Sequence, residues 1–248
     1  MKFSVKLLWS IAALALVGGL VGGAGAASAT SLIHDWELNG STADALGGPA
    51  LNLNGGVLGP TGYTFGANQG PNVSNAIDAA NYSIWMRFDI DTTSGFRKII
   101  DFKNLASDNG VYNLSTALNY FPFATGPAGA IPTSTLVDLV FTRDSASKTV
   151  NGFIGGALQI SFTDATDDAT FSGPNQIINF LQDDHVTAQR EASSGFLDFV
   201  RIYDSANTPD ALAAIQLPGT TSVPEPASLA LFGVGLAGLG FARRRRLS

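Results

Sequence analysis

Residues 82–90 read Tyr-Ser-Ile-Trp-Met-Arg-Phe-Asp-Ile, and apolar and polar side chains largely alternate along this stretch. Successive side chains of a β-strand point to opposite faces, so the pattern predicts a strand with one buried face. The segment from Phe196 to Tyr203 alternates in the same way near the other end of the chain. Its two predicted faces are Leu197, Phe199, Arg201 and Tyr203 on one side and Phe196, Asp198, Val200 and Ile202 on the other.

Short apolar or alternating runs, separated by Gly, Asn, Asp and Pro, fill the region between these two stretches and before them. The further predicted strands are Leu32–Leu38, Lys98–Lys103, Gly110–Leu114, Leu136–Arg143, Thr149–Ile154, Leu158–Phe162 and Ile177–Leu181. One helix is predicted, Pro209–Gln216, because Thr208 can cap its first turn and Pro209 suits its first position. Many strands without a long helix predict an all-β fold, a two-sheet antiparallel sandwich or jelly roll.

The composition narrows the range of functions. The chain has 248 residues, enough for one sizeable domain with tails, and no cysteine, which excludes disulfides and Cys-ligated metals. Between Thr30 and Ser222 there are eight basic and nineteen acidic side chains, a net charge of −11. Such a surface repels phosphate backbones, so nucleic acid is disfavoured, and cations or neutral glycans are favoured as partners.

The first 29 residues predict a secretory signal peptide. Lys2 and Lys6 precede an apolar run from Leu7 to Val21, and small residues end the segment at Ala29. We expect signal peptidase to cleave after Ala29. An uncleaved membrane anchor is the alternative that the apolar length alone permits.

The other end of the chain predicts a stop-transfer segment. Residues 227–242 carry no charge and are followed by Arg243, Arg244, Arg245 and Arg246, which place this end in the cytoplasm. Residues 217–222 read as a linker between the domain, 30–216, and this tail. A plain tail-anchored protein is one alternative; a sortase signal is another, although Leu217-Pro218-Gly219-Thr220 lacks the Gly that must follow.

With Pro224-Glu225-Pro226 before the apolar helix and the Arg cluster, residues 223–248 closely resemble the PEP-CTERM sorting signal of Gram-negative bacteria. The resemblance implies recognition by a membrane-embedded exosortase, a transient anchor in the inner membrane and removal of the tail. Delivery to the cell surface or the extracellular polysaccharide matrix would follow.

Four motifs occur in order along the domain: His34–Gly40, Tyr82–Phe88, Leu139–Asp144 and Gly195–Asp204. In these motifs and their order the domain resembles the LamG-like, concanavalin A-like jelly rolls. The resemblance implies a jelly-roll fold and a carbohydrate- or surface-binding role. The sequence departs from the family where Leu136-Val137-Asp138 replaces a common Trp-His pair.

Catalytic residues are scarce in the domain. Glu37 and Glu191 are its only glutamates, and no run carries the paired carboxylates of a glycosidase. Asp89 and Asp91 share a spacing of two but are expected to be solvated turn residues. His34 and His185 do not adjoin a nucleophile elbow and are expected to be structural or surface residues. We therefore expect no enzymatic activity.

The best candidate for chemistry is an acidic loop before the last strand, for which we predict Gln182, Asp183, Asp184 and Glu191 as ligands. Adjacent carboxylates repel each other unless a cation lies between them, and Ca²⁺ prefers six to eight oxygen ligands. The loop before the closing strand of the resembled jelly rolls supplies calcium ligands, which adds to this prediction. A solvated acidic loop is the alternative. A second cluster of Asp164, Asp167 and Asp168 is expected to be a solvated turn.

Two aromatic features remain. Trp36 and Trp85 lie in strand patterns and are expected to pack inside the sandwich, whereas the Gly- and Pro-rich stretch 119–132 is a candidate loop for a binding surface.

The expected function is an exported, non-catalytic domain that binds polysaccharide or a surface protein. The alternatives are a self-assembling matrix protein and a polysaccharide-degrading enzyme.

Overall fold

The structure is a computed structural model, and it describes residues 30–171 and 175–214. This part of the chain forms fourteen strands and one short helix. The strands are β1 (Leu32–Trp36), β2 (Val57–Gly59), β3 (Gly62–Phe65), β4 (Asn72–Val73), β5 (Tyr82–Ile90), β6 (Phe96–Asp101), β7 (Gly110–Leu114), β8 (Ala117–Phe121), β9 (Ala124–Thr125), β10 (Val137–Arg143), β11 (Thr149–Ile154), β12 (Ala157–Thr163), β13 (Ile178–Phe180) and β14 (Gly195–Tyr203). The helix is α1 (Pro209–Ala213).

The strands form two antiparallel sheets, which confirms the predicted all-β jelly-roll sandwich. The large sheet has the order β12-β11-β10-β5-β14-β3-β2, with β1 also paired to β14. The small sheet has the order β4-β13-β6-β7-β8-β9. The alternating strand β5 lies in the middle of the large sheet between β10 and β14.

The core lies between the sheets and follows the predicted alternation of β5. Tyr82, Ile84, Met86 and Phe88 are all fully buried in the core, whereas Arg87 on the other face is exposed. The same inward-facing pattern on strands from both sheets builds the hydrophobic layer that burial stabilises. The small sheet contributes side chains such as Ile100 and Phe180 to this layer.

The predicted faces of the last strand were wrong beyond Leu197. A β-bulge lies between Leu197 and Phe199, because these two residues oppose the adjacent residues Phe88 and Arg87 of β5. The extra residue moves the strand out of phase, so that Leu197, Val200 and Ile202 all belong to the main core. Phe199 and Arg201 lie together on the outer face, where they contact each other.

The helix prediction is confirmed at its start and differs at its end. Thr208 caps α1 by accepting a hydrogen bond from the backbone N–H of Ala211, and Pro209 occupies the first turn as expected. The helix ends at Ala213, whereas the prediction extended to residue 216, and the last two of those residues lie outside the described part. Within residues 30–171 and 175–214, no helix has the length and hydrophobicity needed to span a membrane.

Candidate functional site

The predicted acidic loop is held across the strand β6 of the small sheet. The backbone N–H of Leu181 donates to the carbonyl of Ile99, and the N–H of Lys98 donates to the carbonyl of Glu191. The structure therefore brings both ends of the loop 181–191 to the same strand. Asp183 and Asp184 are completely buried, so the alternative of a solvated loop does not describe these two carboxylates.

The carboxylate of Asp184 faces a buried lysine. Lys98 Nζ lies 2.5 Å from Asp184 Oδ2, and both side chains are fully buried. The other oxygen of Asp184 accepts the backbone N–H groups of Val186 and Thr187. Burial acts to raise the pKa of Asp184, but the Lys98 ammonium and these two N–H donors lower it below its ordinary value.

The other predicted ligands are also engaged. The Gln182 side-chain amide donates to the Gly70 carbonyl at 2.8 Å. Asp183 Oδ2 accepts the Glu191 N–H and the Thr187 hydroxyl, both at 2.7 Å. Asp183 Oδ1 is buried and has no hydrogen-bond partner within the described part of the chain.

The loop as described does not fit a calcium ion. Ca²⁺ takes six to eight oxygens, but the Asp184 oxygens face hydrogen-bond donors, and Asp183 offers one free oxygen. Residues 30–171 and 175–214 contain no group of three or more His, Asp or Glu side chains placed to hold a metal. Calcium binding by this loop stays a prediction, which a solution measurement can test.

Glu191 lies on the outer side of the small sheet, beside a small hollow of about 30 Å³ that it lines with Phe96, Asp108 and Phe121. Partial burial raises the pKa of its carboxyl group, and the carboxylates of Asp183, Asp108 and Asp184 raise it further. Glu191 is therefore a carboxylate under repulsion from its neighbours.

The second acidic cluster was wrongly predicted as a solvated turn. Asp164 is fully buried and pairs with the buried Arg143, whose Nε lies 2.8 Å from Asp164 Oδ2. Asp167 is half-exposed and accepts from both Arg143 and Lys148. An arginine from β10, about twenty residues away in sequence, supplies the charge that the local pattern did not show.

The remaining polar candidates have structural contacts. His34 Nδ1 lies 2.6 Å from Asp44 Oδ2 and the ring stacks on Trp36, whereas His185 is exposed. Asp91 accepts the Ser134 and Ser194 hydroxyls, and burial raises the pKa of the half-buried Asp89.

An open groove lies on the outer face of the large sheet. Its volume is about 370 Å³. The lining residues share small polar side chains around one aromatic ring: Thr142, Asp144, Ser147, Thr149, Asn151, Phe153, Ala206, Asn207 and Thr208. The outward-facing residues of β10 and β11 form its floor, and the segment between β14 and α1 forms one wall.

The wall is fixed by a buried serine. Ser83, on the outer face of β5, donates its hydroxyl to the Ser205 carbonyl at 2.7 Å and accepts the Asn207 N–H at 3.0 Å. Leu212 of α1 is buried against Val140 in a cluster that also packs on Phe153. The helix thus covers the centre of this face, and the groove remains open beside it.

The groove offers hydrogen-bond donors and acceptors with only one charged group. Asp144 is that group, and the backbone N–H and the hydroxyl of Ser147 lower its pKa. The hydroxyls of Thr149 and Ser147 lie 2.9 Å apart, and the side chain of Asn151 is half-buried between its strand neighbours. Phe153 adds an aromatic surface, on which the apolar C–H face of a sugar ring can pack.

Sequence reasoning missed this groove because its lining residues come from two segments, 142–153 and 206–208, that are far apart in the sequence. Trp36 is buried as predicted, but Trp85 lies half-buried on the outer face, where its indole N–H donates to Asp138. The stretch 119–132 is not a loop throughout, because its first residues belong to β8 and β9, and Tyr120 is buried.

The signal peptide, the apolar segment 227–242 and the Arg243–Arg246 cluster all lie outside the described residues. Comparison with known families nevertheless identifies the tail: residues 222–246 match the PEP-CTERM protein-sorting motif. The chain therefore carries an exosortase-dependent sorting signal of the type used for export in Gram-negative bacteria, with Pro224-Glu225-Pro226 inside the matched stretch. No curated protein sequence matches the chain.

Solved structures share the sandwich fold. Domain 4 of AbnA, an extracellular GH43 arabinanase from Geobacillus stearothermophilus solved in complex with arabinotriose, has a TM-score of 0.53 and 17% identity. The match covers 74% of this chain and 97% of that domain. A sialidase from Trypanosoma rangeli has a TM-score of 0.55 and 13% identity, and the match covers 73% of this chain but 32% of the sialidase. At these identities the similarity concerns the fold.

Proposed function

We propose that this protein is an exported, non-catalytic glycan-binding protein, whose PEP-CTERM tail delivers it to the cell surface or the surrounding polysaccharide. The observation that carries the proposal is the open groove of hydroxyl, amide and aromatic groups on the outer face of the large sheet. That the similar arabinanase domain was solved with arabinotriose is in keeping with a sugar ligand.

The charges favour a neutral glycan over an acidic one. Asp144 is the one ionisable residue that lines the groove, and its lowered pKa keeps it a carboxylate at neutral pH. The excess of acidic side chains in the domain also repels polyanions. A neutral sugar can instead donate its hydroxyls to Asp144 and stack on Phe153.

The test is binding of the purified full-length protein, in detergent, to an array of neutral and acidic glycans. We expect neutral glycans to bind, and Phe153→Ala to weaken that binding about tenfold because it removes the aromatic surface. Phe123→Ala is the matched control, since Phe123 is a 43% exposed aromatic residue that does not line the groove.

Two results would overturn the proposal. One is the absence of binding to any glycan, and the other is an equal loss of binding in the two Phe variants. Release of reducing ends from a bound polysaccharide would instead show an enzyme. Repeating the array in EDTA tests whether binding depends on the predicted calcium.

A further inference from the structure

The acidic loop 181–191 has a feature that glycan binding does not use. Asp183, Asp184 and the neighbouring Asp101 are completely buried, and two of them are adjacent in sequence. Burying a carboxylate is unfavourable unless a positive charge or hydrogen-bond donors accompany it. Something must therefore compensate this concentration of negative charge.

Lys98 is placed to do so. Its side chain is fully buried, with the ammonium 2.5 Å from Asp184, 3.5 Å from Asp101 and 3.2 Å from the Ser107 carbonyl. Of the three N–H donors of an ammonium, two are used in hydrogen bonds to Asp184 Oδ2 and the Ser107 carbonyl. Asp101 Oδ2 is close enough for an ion pair but has no hydrogen-bond partner within the described part of the chain. The ring of Tyr112 covers the group, with its centroid 4.9 Å from Nζ.

We propose that the Lys98 ammonium takes the place of a metal ion in this loop, which is therefore ordered without calcium. A divalent cation at Asp184 would have to displace Lys98, whose side chain is fully buried and whose backbone lies in β6. The groove lies on the outer face of the other sheet, so this inference stands apart from the proposed glycan binding.

The first test is thermal unfolding of the purified full-length protein in EDTA, in about 10 mM MgCl2 and in about 10 mM CaCl2. That concentration exceeds the Kd of extracellular calcium modules, ~10⁻⁴–10⁻³ M. A calcium site would raise Tm by about 3 °C or more. We expect a shift below about 1 °C, and a Tm that rises in CaCl2 but not in MgCl2 would overturn the proposal.

The second test removes the charge. Lys98→Met keeps the apolar stem but leaves Asp184 without its cation, and we expect Tm to fall by about 10 °C. Lys148→Met is the matched control, because Lys148 also pairs with an aspartate but is 40% exposed, and its loss should change Tm by less than about 3 °C. Equal effects of the two substitutions would show that Lys98 does not carry this role. If Lys98→Met does not fold, the calcium measurement on the unaltered protein still decides.

Discussion

The loops 164–168 and 181–191 carry similar runs of carboxylates, and each is closed by one buried cation from a strand. Arg143, at the end of β10, pairs with Asp164 in the first loop, and Lys98 of β6 pairs with Asp184 in the second. The two cations differ in reach. The flat guanidinium of Arg143 contacts Asp164, Asp167 and the Ala80 carbonyl at once.

Lys98 is a point charge that donates to Asp184 and the Ser107 carbonyl and lies 3.5 Å from Asp101. Arginine suits the joining of separate segments because its donors point in fixed, different directions, whereas lysine suits a single enclosed position. An acidic run in a sequence therefore does not by itself indicate a metal. Which cation neutralises it depends on what the opposite strand supplies.

The largest effect is expected from removing the charge of Arg143, which pairs with the loop 164–168. Arg143→Met leaves Asp164 buried without a cation and frees the Ala80 carbonyl, which should lower the free energy of unfolding by about 3–5 kcal/mol. Urea unfolding of the full-length protein measures this change. Arg87→Met is the control, because Arg87 is 44% exposed and pairs with Asp198 at 3.8 Å, and it should cost less than about 1 kcal/mol. Equal costs would contradict the comparison.

An intermediate effect is expected at the loop 181–191, where the free energy of unfolding should depend on pH through Asp184. Because the pKa of Asp184 in the folded protein lies below its ordinary value of 3.8, its contribution is present above that pH and is lost as the pH falls through the lowered pKa. Asp184→Asn should lower the free energy of unfolding at pH 7 by about 2 kcal/mol. It should also flatten the dependence of the free energy of unfolding on pH as the pH falls below the ordinary pKa of Asp184, 3.8.

Urea unfolding at several pH values checks this expectation. An Asp184→Asn variant that loses stability with acid as steeply as the unaltered protein would show that other carboxylates determine the acid dependence. Asp44 is one such carboxylate, since His34 and two backbone N–H groups lower its pKa against the effect of burial.

The smallest effect is expected at Glu191 and has the opposite sign. The raised pKa of Glu191 means that its ionisation opposes folding, so its contribution is favourable at low pH and is lost as the pH rises above its ordinary value of 4.5. Glu191→Gln should therefore raise Tm at pH 7 by about 2 °C, with no gain at pH 4.

Glu37→Gln is the matched control, because Glu37 accepts a hydrogen bond from Arg201 and its loss should lower Tm slightly. A fall in Tm for both variants would contradict the expected repulsion at Glu191. If calcium were bound by Glu191, its substitution would destabilise the protein in CaCl2 only.

The fold was largely predictable because burial on one face imposes a period of two. The strands β5, β7 and β11 begin and end where the alternation predicts. The bulge in β14 was not predictable. One extra residue moves the following side chains of the strand to the opposite face, but the amino-acid sequence of the strand gives no sign of it. Five strands were not predicted: β2, β3, β4, β8 and β9. Of these, β2, β4 and β9 have only two or three residues, which carry too little pattern to detect. Strand β8 runs from Ala117 into the stretch 119–132, which was interpreted as a loop.

The sequence showed the acidic loop 181–191 as a cluster of charged residues but not the contacts of that cluster. The sequence pointed to Asp183 and Asp184 as a charged cluster, and the structure does bury them together. Their cation, Lys98, is 86 residues away from Asp184, and no local spacing reveals such a pair. The groove was missed for the same reason, because Asn151 and Asn207 line one groove only when the sheet has formed.

The first described residue contacts the segment that follows the last strand. The Thr30 hydroxyl lies 2.8 Å from the Ser205 hydroxyl and also accepts the side-chain amide of Asn207. A pulling force applied at Ala214 would therefore act first on Leu212 and these side-chain contacts, which can peel away one at a time. The ladder of β14, flanked by β5 on one side and by β3 and β1 on the other, would bear the load only afterwards. The fold thus separates the sandwich from Ala214 by side-chain contacts that give way more easily than the ladder of β14.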